Sequence, residues 1–144
     1  MDLDIEKLDY GYDKDKPTRQ HIDLAFYKGK SWRRFRISVM SKPENVFCRA
    51  YMRVNRLEYA VDLDHIIRMQ EGGASLDRRN VQPLSRRAHS IKSALEGAGR
   101  FDNLVEGRDY INTRQGKIPT QHYIDYVLEA ISEKLWRVNR QDGK

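Results

Sequence analysis

Between Leu57 and Gly97 the chain changes its hydrophobic period, and that change restricts the fold more than any other feature. Residues 57–67 are rich in β-formers and alternate, which predicts a strand with Tyr59, Val61 and Leu63 on one face. Glu71-Gly72-Gly73-Ala74-Ser75 then marks 68–79 as a loop, because glycine and small polar residues punctuate regular structure. Val81–Leu84 reads as a short second strand, and Pro83, which has no N–H for a ladder, places it near an edge. Ser85 is an N-cap for a helix from about Arg86 to Glu96, which Gly97 closes. The order is strand, loop, strand, helix.

The flanks read more simply. Residues 1–25 are polar and are expected to form a loose N-terminal arm. Ser31 is expected to cap a leader helix in which Trp32, Phe35 and Val39 recur on one stripe, and Ser41-Lys42-Pro43 ends it. Arg33, Arg34 and Arg36 fall off that stripe, with Arg33 and Arg36 one turn apart, either to touch phosphates or to form a solvated face. Residues 97–118 carry four glycines and look like a connector. A last amphipathic helix is expected from near Thr120, with Ile124, Val127, Leu128, Ile131 and Leu135 at helical spacing. That stripe serves the core; a homodimer is the alternative it leaves open.

Of 144 residues, 27 are Lys or Arg and 21 Asp or Glu, but the excess is unevenly placed. Residues 28–100 hold 16 basic against 7 acidic side chains, whereas residues 1–27 hold 4 against 7. A positive centre suits a polyanion such as nucleic acid, or else a solvated basic surface. Cys48 is the only cysteine, so no internal disulfide can form. No apolar run reaches the ~18 residues of a membrane span, and the acidic start does not resemble a signal peptide. The expectation is a cytoplasmic protein with no membrane partner.

His65, Asn80 and His89 stand in the order and spacing of a nuclease site, and the surrounding residues extend the match. Asp64-His65-Ile66-Ile67, Glu71-Gly72-Gly73, Asn80-Val81-Gln82-Pro83-Leu84 and His89 to Lys92 together resemble the HNH endonuclease family. Phe26-Tyr27 and Ser31–Arg36 resemble the leader helix of its phage-type members. The resemblance covers residues 26–97 and leaves 98–144 as connector and C-terminal helix packed on the core. It implies a small single α+β domain built on a ββα-metal core, with the leader helix and the C-terminal helix around it.

The chemistry implied by the resemblance is hydrolysis of a DNA phosphodiester with one divalent metal, leaving 5′-phosphate and 3′-hydroxyl ends. His65 would be the general base, a role suited to an imidazole that is neutral near cellular pH. Asp64 and His89 would hold the metal, Mg²⁺ or Mn²⁺ first, although one carboxylate and one imidazole also suit Ni²⁺ or Zn²⁺. Asn80 would bond across the hairpin loop and hold the His65 segment. Lys92, one turn from His89, could reach a phosphate, and Arg79, Arg86 and Arg87 flank the site together with Arg78. His21 and His122 are expected to be structural or solvent-facing.

One departure from the family stands out, and one further feature needs explaining. Where many members bind a structural zinc through two Cys-x-x-Cys pairs, the corresponding positions here are Cys48, Tyr51, Ser85 and Ala88. One thiolate cannot hold a tetrahedral zinc, so no structural zinc is expected and packing must replace it. The second concerns the pleat. Neighbours on a regular strand point to opposite faces, so Asp64 and His65 could share a metal site only if the strand has ended or bulged. Otherwise one role is wrong, and Asp62, on Asp64's face, is the substitute ligand. The partner expected is double-stranded DNA, with a phage terminase as a further candidate and a phage or bacterial source. The alternative function is a non-catalytic DNA-binding or packaging accessory.

Overall fold

The structure is a computed structural model that describes residues 24–142, with side chains through Arg137. Residues 1–23 of the expected arm, with His21, lie outside the described residues, and its last two, 24 and 25, are helical. The chain divides into two compact units, residues 1–39 and residues 40–144, and each is described by itself.

In the first unit, a helical turn over 24–27 leads into helix α1 (Lys30–Met40). Ser31 is therefore inside the helix and not its cap. The preceding turn supplies the missing acceptors, since Arg33 N donates to the carbonyl of Gly29. Trp32 and Val39 are buried, as the stripe requires, and Trp32 lies edge-on to Tyr27 with centroids 5.2 Å apart and 5.9 Å from Phe35. Arg33 is exposed and Arg36 half-buried on the same helix.

The second unit is a mixed α+β structure with two small antiparallel sheets. Strand β1 (Asp62–His65) pairs with β2 (Val81–Leu84), in a register that sets Asp62 against Leu84, Asp64 against Gln82 and His65 against Val81. The first strand is shorter than the alternation suggested. Residues 57–60 turn away to bond the segment after α1, with Cys48 N donating to Glu58 O and Ala60 N to Val46 O. The apolar face expected of Tyr59, Val61 and Leu63 is split by this turn: Leu63 is buried, whereas Tyr59 is 72% exposed and stacks on Phe47.

After β2, the Ser85 hydroxyl accepts from Ala88 N at 3.2 Å and starts helix α3 (Arg86–Gly97). Residues 98–120 are more than a connector. They form a short helix α4 (Asp102–Glu106) and a hairpin of β3 (Tyr110–Thr113) with β4 (Gly116–Pro119). Thr120 then caps α5 (Gln121–Asp142), its hydroxyl accepting from Tyr123 N. His122 at the start of this helix is exposed and paired with Asp109.

The core lies between α5, α3 and the short helix α2 (Arg49–Met52). Val127, Ile131 and Leu135 of α5 are fully buried in it, together with Cys48, Leu84 and Ala88. Cys48, Tyr51 and Ala88, three of the four positions at which no structural zinc is expected, all sit in this cluster. The fourth, Ser85, is buried and spends its hydroxyl on the helix cap. Van der Waals contact at these positions fills space with no donor set. Among the described residues no helix is long and apolar enough to cross a membrane.

Candidate functional site

The pleat of β1 decides which side chains meet. Asp62 and Asp64 are two residues apart on a regular strand and share a face, over which α3 lays His89 and Lys92. His89 is held between the two carboxylates. Its Nδ1 lies 3.1 Å from Asp62 Oδ2, and its Nε2 lies 3.5 Å from Asp64 Oδ1. Only the first contact has hydrogen-bond geometry.

Asp64 is almost fully buried and its two oxygens have different company. Oδ2 accepts from Gln82 Nε2 at 3.0 Å, its neighbour across the ladder, and from Lys92 Nζ at 3.1 Å. Oδ1 faces His89 Nε2. Gln82 is itself buried, and its Oε1 has no hydrogen-bond partner. Leaving a buried carbonyl unpaired costs about 1–3 kcal/mol, so the bond to Asp64 is made at the expense of stability.

Lys92 corrects an expectation. Its ammonium is fully buried and cannot meet a nucleic-acid phosphate. It donates to Glu96 at 2.6 Å and to the backbone carbonyl of His65 at 2.8 Å, and pairs with Asp64. Three acceptors satisfy its three donors. Burial alone would lower the Lys92 pKa, but the charges of Asp64 and Glu96 outweigh it and hold the ammonium above its ordinary value. Burial pushes the Glu96 carboxyl up, more than the charge of Lys92 lowers it.

His65 turns the other way. Its side chain follows the opposite pleat, is buried, and places Nε2 2.8 Å from the carbonyl of Ser75 in the loop. A carbonyl only accepts, so this bond puts the imidazole proton on Nε2 and the basic lone pair on Nδ1. Strand β1 has not bulged by His65, which still pairs with Val81. Asp64 and His65 therefore sit on opposite faces, joined through the Lys92 bond to the His65 carbonyl.

The loop that bonds His65 is fixed by Asn80, which is fully buried. Its Oδ1 accepts from Ile67 N at 2.8 Å, and its Nδ2 donates to the carbonyls of Ile67 at 3.0 Å and Ala74 at 2.8 Å. These bonds span the loop between the two strands. Glycine is obligatory beside them: a Cβ on Gly73 would stand 2.0 Å from Ile67 O and 2.9 Å from Asn80 Nδ2. Gly72 before it has φ 88°, a left-handed conformation that other residues avoid.

The arginines divide. Arg87 is exposed beside the site on α3. Arg86 is also exposed but bonds Asp62 at 3.2 Å and 3.4 Å, and Arg79 bonds Asp77 at 3.0 Å and 2.7 Å. That bond to Arg79 holds the Asp77 carboxyl below its ordinary value. Arg33 and Arg36 belong to the 1–39 unit.

A divalent ion can be tested against these donors. Two ligands each about 2.1 Å from an ion lie about 3.0 Å apart in an octahedral site and about 3.4 Å apart in a tetrahedral one. The 3.5 Å between Asp64 Oδ1 and His89 Nε2 is close to both, and it is a gap that no hydrogen bond closes. Among the described residues no three His, Cys, Asp or Glu side chains form a group that could hold a metal ion. The protein offers a pair of donors, and other positions would fall to water and substrate oxygens. Asp62 is not a third ligand in this arrangement, because its carboxylate is occupied by His89 and Arg86.

Sequence reasoning missed Gln82, Ser75 and Glu96. Two had a visible signal: Gln82 follows from the register of the two strands, and Glu96 stands four residues after Lys92 on one helix face. Ser75 had none, because a backbone carbonyl in a loop carries no mark in the sequence. No protein-family model, curated protein or solved structure matches this chain.

Proposed function

We propose that the protein is a divalent-metal-dependent DNA endonuclease of HNH type, with β1, β2 and α3 as its ββα core. The observation that carries this reading is the open donor pair, Asp64 Oδ1 and His89 Nε2 at 3.5 Å, set across strand and helix. Asp64 and His89 hold the metal, which when bound stabilises negative charge on the scissile phosphate and its leaving oxygen. The resemblance gives His65 the role of general base, with its Nε2–H bonded to Ser75; a regular β1 sets its ring on the face opposite Asp64, which counts against that role, and His65→Ala decides it. Asn80 contributes by holding the loop that carries Ser75. Arg87, and Arg86 when released from Asp62, contact the phosphate backbone of double-stranded DNA. The expected metals are Mg²⁺ and Mn²⁺, with Ni²⁺ and Zn²⁺ compatible with the mixed donor pair.

The test is plasmid nicking in Mg²⁺ or Mn²⁺, with and without EDTA, for the parent and for His65→Ala and Asp64→Ala. The parent is expected to nick only with metal, and both variants to lose at least about 100-fold, the scale of general-base catalysis. Cutting by His65→Ala at the parent rate would remove His65 from the mechanism. A parent that binds duplex but cuts with no metal would instead be a DNA-binding or packaging accessory on the same scaffold.

A further inference from the structure

The donor pair is only as good as the tautomer of His89. A neutral imidazole can ligate through Nε2 only if its proton is on Nδ1, and the proton goes where an acceptor waits. The shorter imidazole–carboxylate contact is on Nδ1, 3.1 Å from Asp62 Oδ2, whereas Nε2 stands 3.5 Å from Asp64 Oδ1 without hydrogen-bond geometry. An ionised carboxylate is acceptor-only, so the Asp62 bond requires a proton on Nδ1 and exposes the Nε2 lone pair. Arg86 bonds the same carboxylate and orients it. Asp62 is four-fifths buried, while Arg86 closes over it from solvent.

We infer that Asp62 is a positioning residue that selects the Nδ1–H tautomer of His89 and aims Nε2 at a divalent ion shared with Asp64. This rests on the endonuclease reading of the site and assigns Asp62 a part other than that of a ligand. Arg86 serves this device before it serves DNA. The arrangement is a carboxylate–imidazole pair in which the outer carboxylate fixes the tautomer and orientation of the ring that would ligate.

The experiment uses the full chain. Metal-free protein is examined by long-range ¹H–¹⁵N NMR of the histidine rings, and Mn²⁺ affinity is measured by calorimetry, for the parent, Asp62→Asn, Asp62→Glu and Asp64→Asn. In the parent, His89 is expected as the Nδ1–H tautomer. Asp62→Asn can present an amide N–H to Nδ1, so it is expected to shift His89 toward Nε2–H and to weaken Mn²⁺ by about 10–100-fold. Asp62→Glu restores a carboxylate and is expected to keep the parental tautomer. Asp64→Asn is expected to lose Mn²⁺ with the tautomer unchanged.

The inference fails if metal-free parent His89 is the Nε2–H tautomer, a result that needs no folded variant. It also fails if Asp62→Asn binds Mn²⁺ as the parent does, which leaves the endonuclease reading intact. Weakened Mn²⁺ with an unmoved tautomer would make Asp62 a ligand and overturn the positioning role. A parent that binds no divalent metal at all would overturn both.

Discussion

Replacing Lys92 by methionine removes one positive charge from between the buried Asp64 and the half-buried Glu96 and leaves the packing volume nearly unchanged. The ammonium is fully buried, 2.6 Å from Glu96, 3.1 Å from Asp64 and 2.8 Å from the His65 carbonyl. Breaking a buried pair by removing one partner costs about 3–5 kcal/mol, because the remaining charge is uncompensated. Asp64 keeps its bond from Gln82, whereas Glu96 keeps only slight exposure, so a cost of about 4 kcal/mol is expected. On a unit of this size that corresponds to a fall in Tm of about 15 °C, measured by circular dichroism at neutral pH. Carboxylates orphaned in this way have raised pKa values in the folded state. The folded state then binds more protons than the unfolded one, so the deficit grows as pH rises and shrinks toward pH 4. The double variant Lys92→Met/Glu96→Gln removes one orphan charge and is expected to recover part of the loss. A Lys92→Met protein within about 0.5 kcal/mol of the parent at neutral pH would refute this account, since only surface changes are that mild.

Other perturbations probe the loop and its ends. Asn80→Ala orphans Ile67 N and the carbonyls of Ile67 and Ala74, and at about 1 kcal/mol or more for each it is expected to cost at least about 3 kcal/mol in urea denaturation. Gly73→Ala is expected to displace the loop, because the added carbon cannot stand 2.0 Å from Ile67 O; amide exchange of residues 66–80 should accelerate by at least about tenfold. Asp77, held below its ordinary value by Arg79, contributes stability that is present above the unfolded-state value and is lost as pH falls through the lowered one. Asp77→Asn should therefore flatten the acid limb of a stability–pH curve below about pH 4 and leave its neutral region nearly parallel.

The parts of this structure legible in the sequence are those set by local chemistry. Ser85 caps α3 because a hydroxyl one residue before an amphipathic run has backbone N–H groups to bond. The five apolar positions named for α5 form one stripe, and four of them are buried in the core with Ile124 packed at its margin. Non-local chemistry was less visible. Tyr59 and Val61 alternate like a buried strand face, yet the chain turns at 57–60 to bond residues 46 and 48, a pairing that no period announces. The hairpin of β3 and β4 was hidden by its glycines, which read as connector, although Tyr110, Ile111 and Ile118 are ordinary strand formers. At the site, the pleat left open whether the strand ended by His65, and β1 runs on regularly through it. Lys92 was placed near a phosphate because it shares a helix face with His89, whereas its ammonium is fully buried. Only the tertiary structure places Asp64 and Glu96 around it.

The β3–β4 hairpin does more than extend the sheet content. Lys117 bonds the loop through its backbone, with Ala74 N donating to Lys117 O at 2.9 Å and Lys117 N to Gly72 O at 2.8 Å, and its ammonium reaches Glu71 O at 2.8 Å. The Ser75 carbonyl that orients His65 follows directly on that stitch. A chain made only as far as Gly97 has the residues of both strands and α3 but lacks this brace and also α5, whose side chains form one wall of the core. The His65 environment is therefore complete only once the hairpin has been made, and a product truncated before it would leave the Ser75 loop unbraced.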